Sequence, residues 1–329
     1  MSVIKGQTME RVPENTIYSL QLDGHGGMQH LAAGAELLTE SPAWVHLDYG
    51  QPQAQQWLQQ TSLLSESARE ALLGQSNRPK LIRQGESLLL ILRGINHNEH
   101  NRPEEMVALR IFISPQLIIS SRCRPLLSER DVFEQFATQD GPVSPSDWLV
   151  EICDALTDRA GEFVETLHDR ILSLEESVLE NTMPASGQLG RIRKQLIMIR
   201  RYLSPQRDLV ARLASEKISW LNDDDRRRLL DIADRLRRWL DDLDAGVART
   251  AVLADEVNNI MAAATNRRAY QMSIMALLFL PASFLTGLFG INLAGMPGAD
   301  NPLAFWTFCG VLTGLALLLA IWLKLRSWW

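Results

Sequence analysis

Up to about residue 145 the apolar positions come in short runs, at 16–22 (IYSLQLD), 43–49 (AWVHLDY), 87–94 (SLLLILRG), 107–114 (VALRIFIS) and 117–122 (LIISSR). Runs of this length and composition predict strands. Helical patterns near 51–73 and 124–138 lie between them, so residues 1–145 read as a mixed α/β domain closed by QDGPVSPSD. From Trp148 onward the strand signal stops. Apolar residues recur at helical spacing through 148–180, and TMPASG ends that run. A second helix is predicted through RIRKQLIMIRRYL to Ser204-Pro205, and a third through RDLVARLASEKISWL. Asn222 then offers a cap and Asp223, Asp224 and Asp225 place acids at a helix N-terminus, where the macrodipole favours them. No proline follows until Pro281, so a helix from about 223 to 290 is expected, on the order of 100 Å long. Residues 146–268 therefore read as long stalk helices.

Two apolar stretches follow. No charged residue stands between Arg268 and Asp300, or between Asp300 and Lys324. Each exceeds the ~20 residues that cross hydrocarbon. The expected organisation is a membrane helix at 269–292, a loop at 293–301, a second membrane helix at 302–323 and a basic, aromatic tail at 324–329. Arg267 and Arg268 precede the first span, Lys324 and Arg326 follow the second, and the loop carries only Asp300. Basic flanks stay on the cytoplasmic side, so both termini are expected there.

Two spans cannot enclose a pore, so a permeation path would be built by several subunits. The first span is the better lining element, with Ser273, Ser283, Thr286 and Asn292, whereas the second is mainly Leu, Ala and Phe. Steps of four and three along the long helix give a stripe that is small, polar or acidic almost throughout. Its stalk part holds Asp241, Asp244, Asp255 and Asn258; its membrane part holds Met272, Ala276, Phe279, Ser283 and Thr286. Packed dry, that stripe would strand carboxylates; facing a hydrated lumen, the acids concentrate cations. At its end, Gly290 and Ile291 can present backbone carbonyls and Asn292 an amide oxygen, a neutral collar for a hydrated cation. The same three residues read equally well as an ordinary helix stop. Gly310 and Gly314 in the second span form a small-xxx-small pattern that permits close helix approach, or simply face lipid.

Net charge is −6, and the basic clusters at 226–228 and 235–238 alternate with acids, which argues against nucleic acid as a partner. Cys123, Cys153 and Cys309 form no CxxC pair and suggest a reducing compartment for the soluble part. The N-terminal residues lack an apolar core and do not read as a signal peptide. His97 and His100 share INHNEHNRPEE with Glu99, Glu104 and Glu105, which is either a polar hairpin turn or a regulatory metal site. His46 and His168 read as structural. No GxxxxGK[ST] or GxGxxG occurs, and no nucleophile–base–orienter set is evident, so the chain does not read as an enzyme and no cofactor is expected.

In this layout, and in the stretch TNRRAYQMSIMALLFLPASFLTGLFGIN, the chain resembles the CorA family of divalent-cation transporters. That family has a Gly-Met-Asn signature at the end of its first span; Ile291 stands in the middle position here, and MPG stands where magnesium transporters commonly have Met-Pro-Glu. Both departures, with QLIMIRRYLSPQRD and DEVNNIMAAATNRRAY, resemble the family's bacterial zinc-transporter branch. The resemblance implies an α+β cytosolic domain, long stalk helices and two C-terminal transmembrane helices in a homopentameric funnel. It also implies a place in the bacterial inner membrane among lipids. Zn²⁺ would be transported substrate rather than cofactor, with Cd²⁺, Ni²⁺ or Co²⁺ as further substrates. Members of the branch work as exporters or as proton-coupled importers, and neither direction follows from the residues.

Overall fold

The computed structural model describes residues 11–37, 40–74, 78–99, 101–180, 182–185, 187–290 and 301–325. The chain divides into two compact units, Met1–Ala254 and Asp255–Trp329. The first is built on seven strands, β1 (Tyr18–Leu22), β2 (Met28–His30), β3 (Ala43–Asp48), β4 (Lys80–Gln84), β5 (Ser87–Gly94), β6 (Val107–Ile113) and β7 (Leu117–Arg122). They form one sheet in the order β2-β1-β3-β7-β6-β5-β4. Only β3 and β7 pair in parallel; every other pairing is antiparallel.

The near-continuous apolar runs of β5 and β6 follow from their central place, because both faces of the sheet are covered there. One face carries Val45, Leu47, Leu89, Phe112 and Ile119. It packs on Ala54 and Leu58 of α1 (Pro52–Gln60) and on Ala68 and Leu72 of α2 (Glu66–Leu73). The other face meets α3 (Leu127–Gln135) and α4 (Pro145–Leu179). Trp44 and Trp148 touch there with ring centroids 5.1 Å apart. A Cβ on Gly94 would lie 2.5 Å from the side chain of Leu126, just before α3, and 2.7 Å from that of Leu156 in α4, so any larger residue would push these side chains aside.

Four local expectations need correction. The helical pattern at 51–73 is two helices, because the chain leaves helical geometry at Thr61 and restarts at Ser65, whose Oγ accepts the Ala68 amide at 3.2 Å. The polar edge strands β2 and β4 were not anticipated. The helix break expected at Ser204-Pro205 does not occur: α5 runs Gln188–Ser215 straight through Pro205. Proline forfeits one bond to the carbonyl four residues back. The buried Leu203, Gln206 and Leu209 on either side hold the helix across that gap. Finally, α5 stops at Ser215 rather than 221. Arg226 donates to the carbonyls of Ala214 (3.1 Å), Glu216 and Ile218 (3.2 Å), which fixes the following segment as a loop.

The longest element is α6, Asp223–Gly290, with 68 residues and Pro281 inside it. In the second unit its C-terminal part is followed by α7, Ala304–Leu325, and Phe289 meets Phe308 edge-on at 5.1 Å. The C-terminal part of α6 is long and apolar enough to cross a membrane, and Ala304–Leu318 forms a shorter apolar stretch.

Candidate permeation helix

The lower part of α6 is seated by α4 and α5. Asn222 caps it, its Oδ1 accepting the Asp225 amide at 2.8 Å. Leu229, Ile232, Leu236, Leu240, Leu243 and Leu253 point inward at helical spacing and are buried. Arg228 donates to Asp147 at 2.9 Å and also holds Glu151; Arg235 reaches Asp158 at 2.7 Å and also pairs with Asp154. Arg249 donates to Glu175 at 2.9 Å and stands 3.4 Å from His168. Arg228 and Arg235 of the two basic clusters, and Arg249 further along, are thus cross-helix clamps. Gly161 lets α4 meet Trp239, since a Cβ there would be 2.5 Å from the indole. Asp225 is 4% exposed, and burial, with Asp147 nearby, raises its pKa above the ordinary carboxylate value.

Asp241 and Asp244 lie on the exposed side of this seat. They differ in one respect. Asp244 is ion-paired with Arg200 of α5, which also donates to it at 3.1 Å, whereas Asp241 has no ion-pair partner among the described residues. The expected free carboxylate at 244 is therefore already neutralised within the chain.

In the second unit, Asp255, Asn258, Met272, Ala276, Phe279, Ser283, Thr286 and Gly290 are all exposed. Met272 is 73% and Phe279 65% accessible, so these apolar members are left uncovered by the described residues of one chain. Thr286 donates its hydroxyl hydrogen to the carbonyls of Ala282 and Ser283, both at 3.0 Å. Its oxygen lone pairs are left to accept from water or to face a cation. Pro281 has no N–H, so the Leu277 carbonyl loses its helical donor and becomes another oxygen acceptor on this segment. A Cβ at Gly287, Gly290, Gly310 or Gly314 would meet nothing described within 4 Å, so all four glycine surfaces stand open to a neighbour. Ile291 and Asn292 lie outside the described residues.

The candidate histidines divide. His97 is exposed in the β5–β6 connection, and His100 lies outside the described residues. Among the described residues no group of three or more His, Cys, Asp or Glu side chains could hold a metal ion. His46 is fully buried, with Nδ1 2.7 Å from Ser120 Oγ and Nε2 2.7 Å from Glu129 Oε2. Arg122 completes the group by pairing with Glu129. Nothing in the spacing of residues 46, 120, 122 and 129 announces this network.

The model of the CorA-like Mg2+ transporter protein family matches residues 39–325. The zinc transport protein ZntB of Yersinia enterocolitica is 48% identical over 328 residues, covering 100% of both chains. Among solved structures, the full-length CmaX protein superposes with a TM-score of 0.81 at 37% identity, covering 96% of this chain and 99% of that one. The CorA magnesium transporter of Methanocaldococcus jannaschii gives a TM-score of 0.80 at 16% identity over 94% of this chain and 98% of its own, a likeness of fold.

Proposed function

Because this chain belongs to the CorA-like family of metal-ion transporters, we propose that it carries Zn²⁺ across the bacterial inner membrane through a path on the axis of a homopentamer. The zinc assignment leans on the similarity to ZntB proteins, and the path on one observation. The α6 stripe from Asp255 to Gly290 is exposed in a single chain while offering oxygen acceptors at Asn258, Ser283, Thr286 and Leu277. Asp241 and Asp255 raise the local cation concentration at the cytoplasmic end, and Gly290, Ile291 and Asn292 form the outer collar. Both termini lie in the cytoplasm. Oxygen ligands suit a hydrated ion, whereas Zn²⁺ prefers nitrogen and sulfur, so zinc passes with its water shell.

Transport is proton-coupled uptake in this reading. Positions 269–299 and 301–323 hold no Asp, Glu, His, Lys or Arg, and so no relay of the kind proton-driven transporters keep inside the membrane. The proton therefore travels on lumen water or on the metal's hydration shell. Vesicles carrying zinc-sensitive and pH-sensitive dyes test this: zinc entry with acidification is expected. Entry without acidification assigns a passive channel, also for Mg²⁺, Co²⁺ or Ni²⁺, and zinc loss from preloaded vesicles assigns efflux.

A further inference from the structure

A cationic cluster lies in the sheet domain, away in sequence from the α6 stripe. Arg93 of β5, Arg110 of β6 and Ser121 of β7 share one face of the sheet, because Arg93 pairs with Ala108 and Arg110 with Ser121. Paired residues share a face, as do residues two apart on one strand. The three are 6%, 2% and 0% exposed. Arg93 Nε, Arg110 Nε and Ser121 Oγ are all buried without a hydrogen-bond partner among the described residues. Tyr202 and Tyr49 are the polar groups that favour the charged form of Arg93, Tyr202 through a side-chain hydrogen bond, and no ion pair to Arg93 or Arg110 occurs among the described residues. Arg110 spends its terminal nitrogens on the carbonyls of Leu72 (3.4 Å) and Gly74. The guanidinium planes rest on rings, Arg93 over Tyr202 at 4.6 Å and Arg110 over Tyr49 at 4.2 Å.

Two neighbouring cations withdrawn from water with no counter-ion among the described residues are costly, and each unmade buried donor adds to that cost. The strain shows at Arg93, whose pKa is lowered by burial, with Arg110 acting in the same direction. A water molecule could accept from the donors but would leave the charges uncompensated.

We propose that Arg93, Arg110 and Ser121 are the donor set of a binding site for a small oxyanion of the phosphate or sulfate class. Three donors from three adjacent strands match an ion with several oxygens, and its charge offsets the two guanidinium charges.

The test uses the full-length protein in detergent, with thermal unfolding followed as sodium phosphate or sulfate replaces sodium chloride at constant ionic strength. A saturable rise in the midpoint is expected, as mass action requires of a ligand bound only by the folded state. Arg93→Gln should raise the half-saturating concentration about tenfold or more, the usual effect of removing a charged hydrogen bond. Should that variant not fold, Ser121→Ala decides, with a rise of about fivefold expected from losing one neutral donor. Equal, non-saturating rises in phosphate, sulfate and chloride would mean a general salt effect and overturn the site. Saturation by chloride alone, or half-saturation unchanged in the folded variants, would overturn it as well.

Discussion

Gly161 and Gly190 allow one substitution to be read with opposite signs. Both lie in helices, α4 and α5, where alanine is favoured over glycine by about 1 kcal/mol. At Gly190 a new Cβ meets nothing within 4 Å, so Gly190→Ala should collect that gain, reduced somewhat by its place in the first turn. At Gly161 the new Cβ would lie 2.5, 2.7 and 2.9 Å from three atoms of the Trp239 indole. Ordinary carbon contacts are about 3.5–4.0 Å, so the indole or the helix must give way by roughly 1 Å. Overpacking of that kind costs about 1–3 kcal/mol. Set against the propensity gain, Gly161→Ala should lose about 1 kcal/mol net. The displacement falls on the contact that seats α6 against α4, so the loss should bring a change in transport rate that Gly190→Ala does not. Denaturant midpoints of the two full-length variants in detergent measure this. Stabilisation of both would show that α4 and α6 are not in close contact at this point, and the account of the seat would fail.

Three further outcomes are expected. Gln206→Leu removes the side-chain amide that accepts from Arg93 N at 2.7 Å and donates to Arg93 O at 3.2 Å; stranding both buried backbone groups should cost about 2–5 kcal/mol, read from the same midpoints. Asp225 has a raised pKa, so ionising it opposes folding above that pKa and the penalty fades as pH falls through it. Asp225→Asn should therefore raise the midpoint at neutral pH, with a gain that shrinks on acidification; a gain independent of pH would contradict the assigned cause. Neutralising Asp241 and Asp255 together should lower cation flux more at low than at high ionic strength. Neutralising Asp244 should act differently, by releasing the Arg200 charge, and a cysteine at 241 that resists a charged thiol reagent would place the stripe in a dry interface.

What the sequence makes legible follows from where the physics is local. β5, β6 and β7 are evident because these inner strands bury nearly every residue, and a largely apolar run of that length is hard to read otherwise. β2 and β4 are not evident: Met28–His30 is three residues long, and KLIRQ mixes charged and apolar residues at the sheet edge, paired only with β5. Pro205 misleads because helix-breaking is a local rule, overridden here by burial on both sides. The α6 stripe is legible as periodicity, but the Asp244–Arg200 pair spans 44 positions and cannot be inferred from spacing. The same holds for Gln206 with Arg93, 113 positions apart, and for the His46–Glu129–Arg122 group. Long-range polar pairs carry no periodic signature. They appear only once the strands are placed side by side.

The central claim is that zinc passes along the exposed face of α6 and through the collar at its end. Initial zinc flux into sealed vesicles, compared between the native chain and Asn292→Ala at equal incorporation and equal oligomer content, tests it most directly. The account predicts that flux collapses in the variant while assembly persists. Equal flux would mean that Gly290, Ile291 and Asn292 merely end a helix, and the permeation path would have to lie elsewhere.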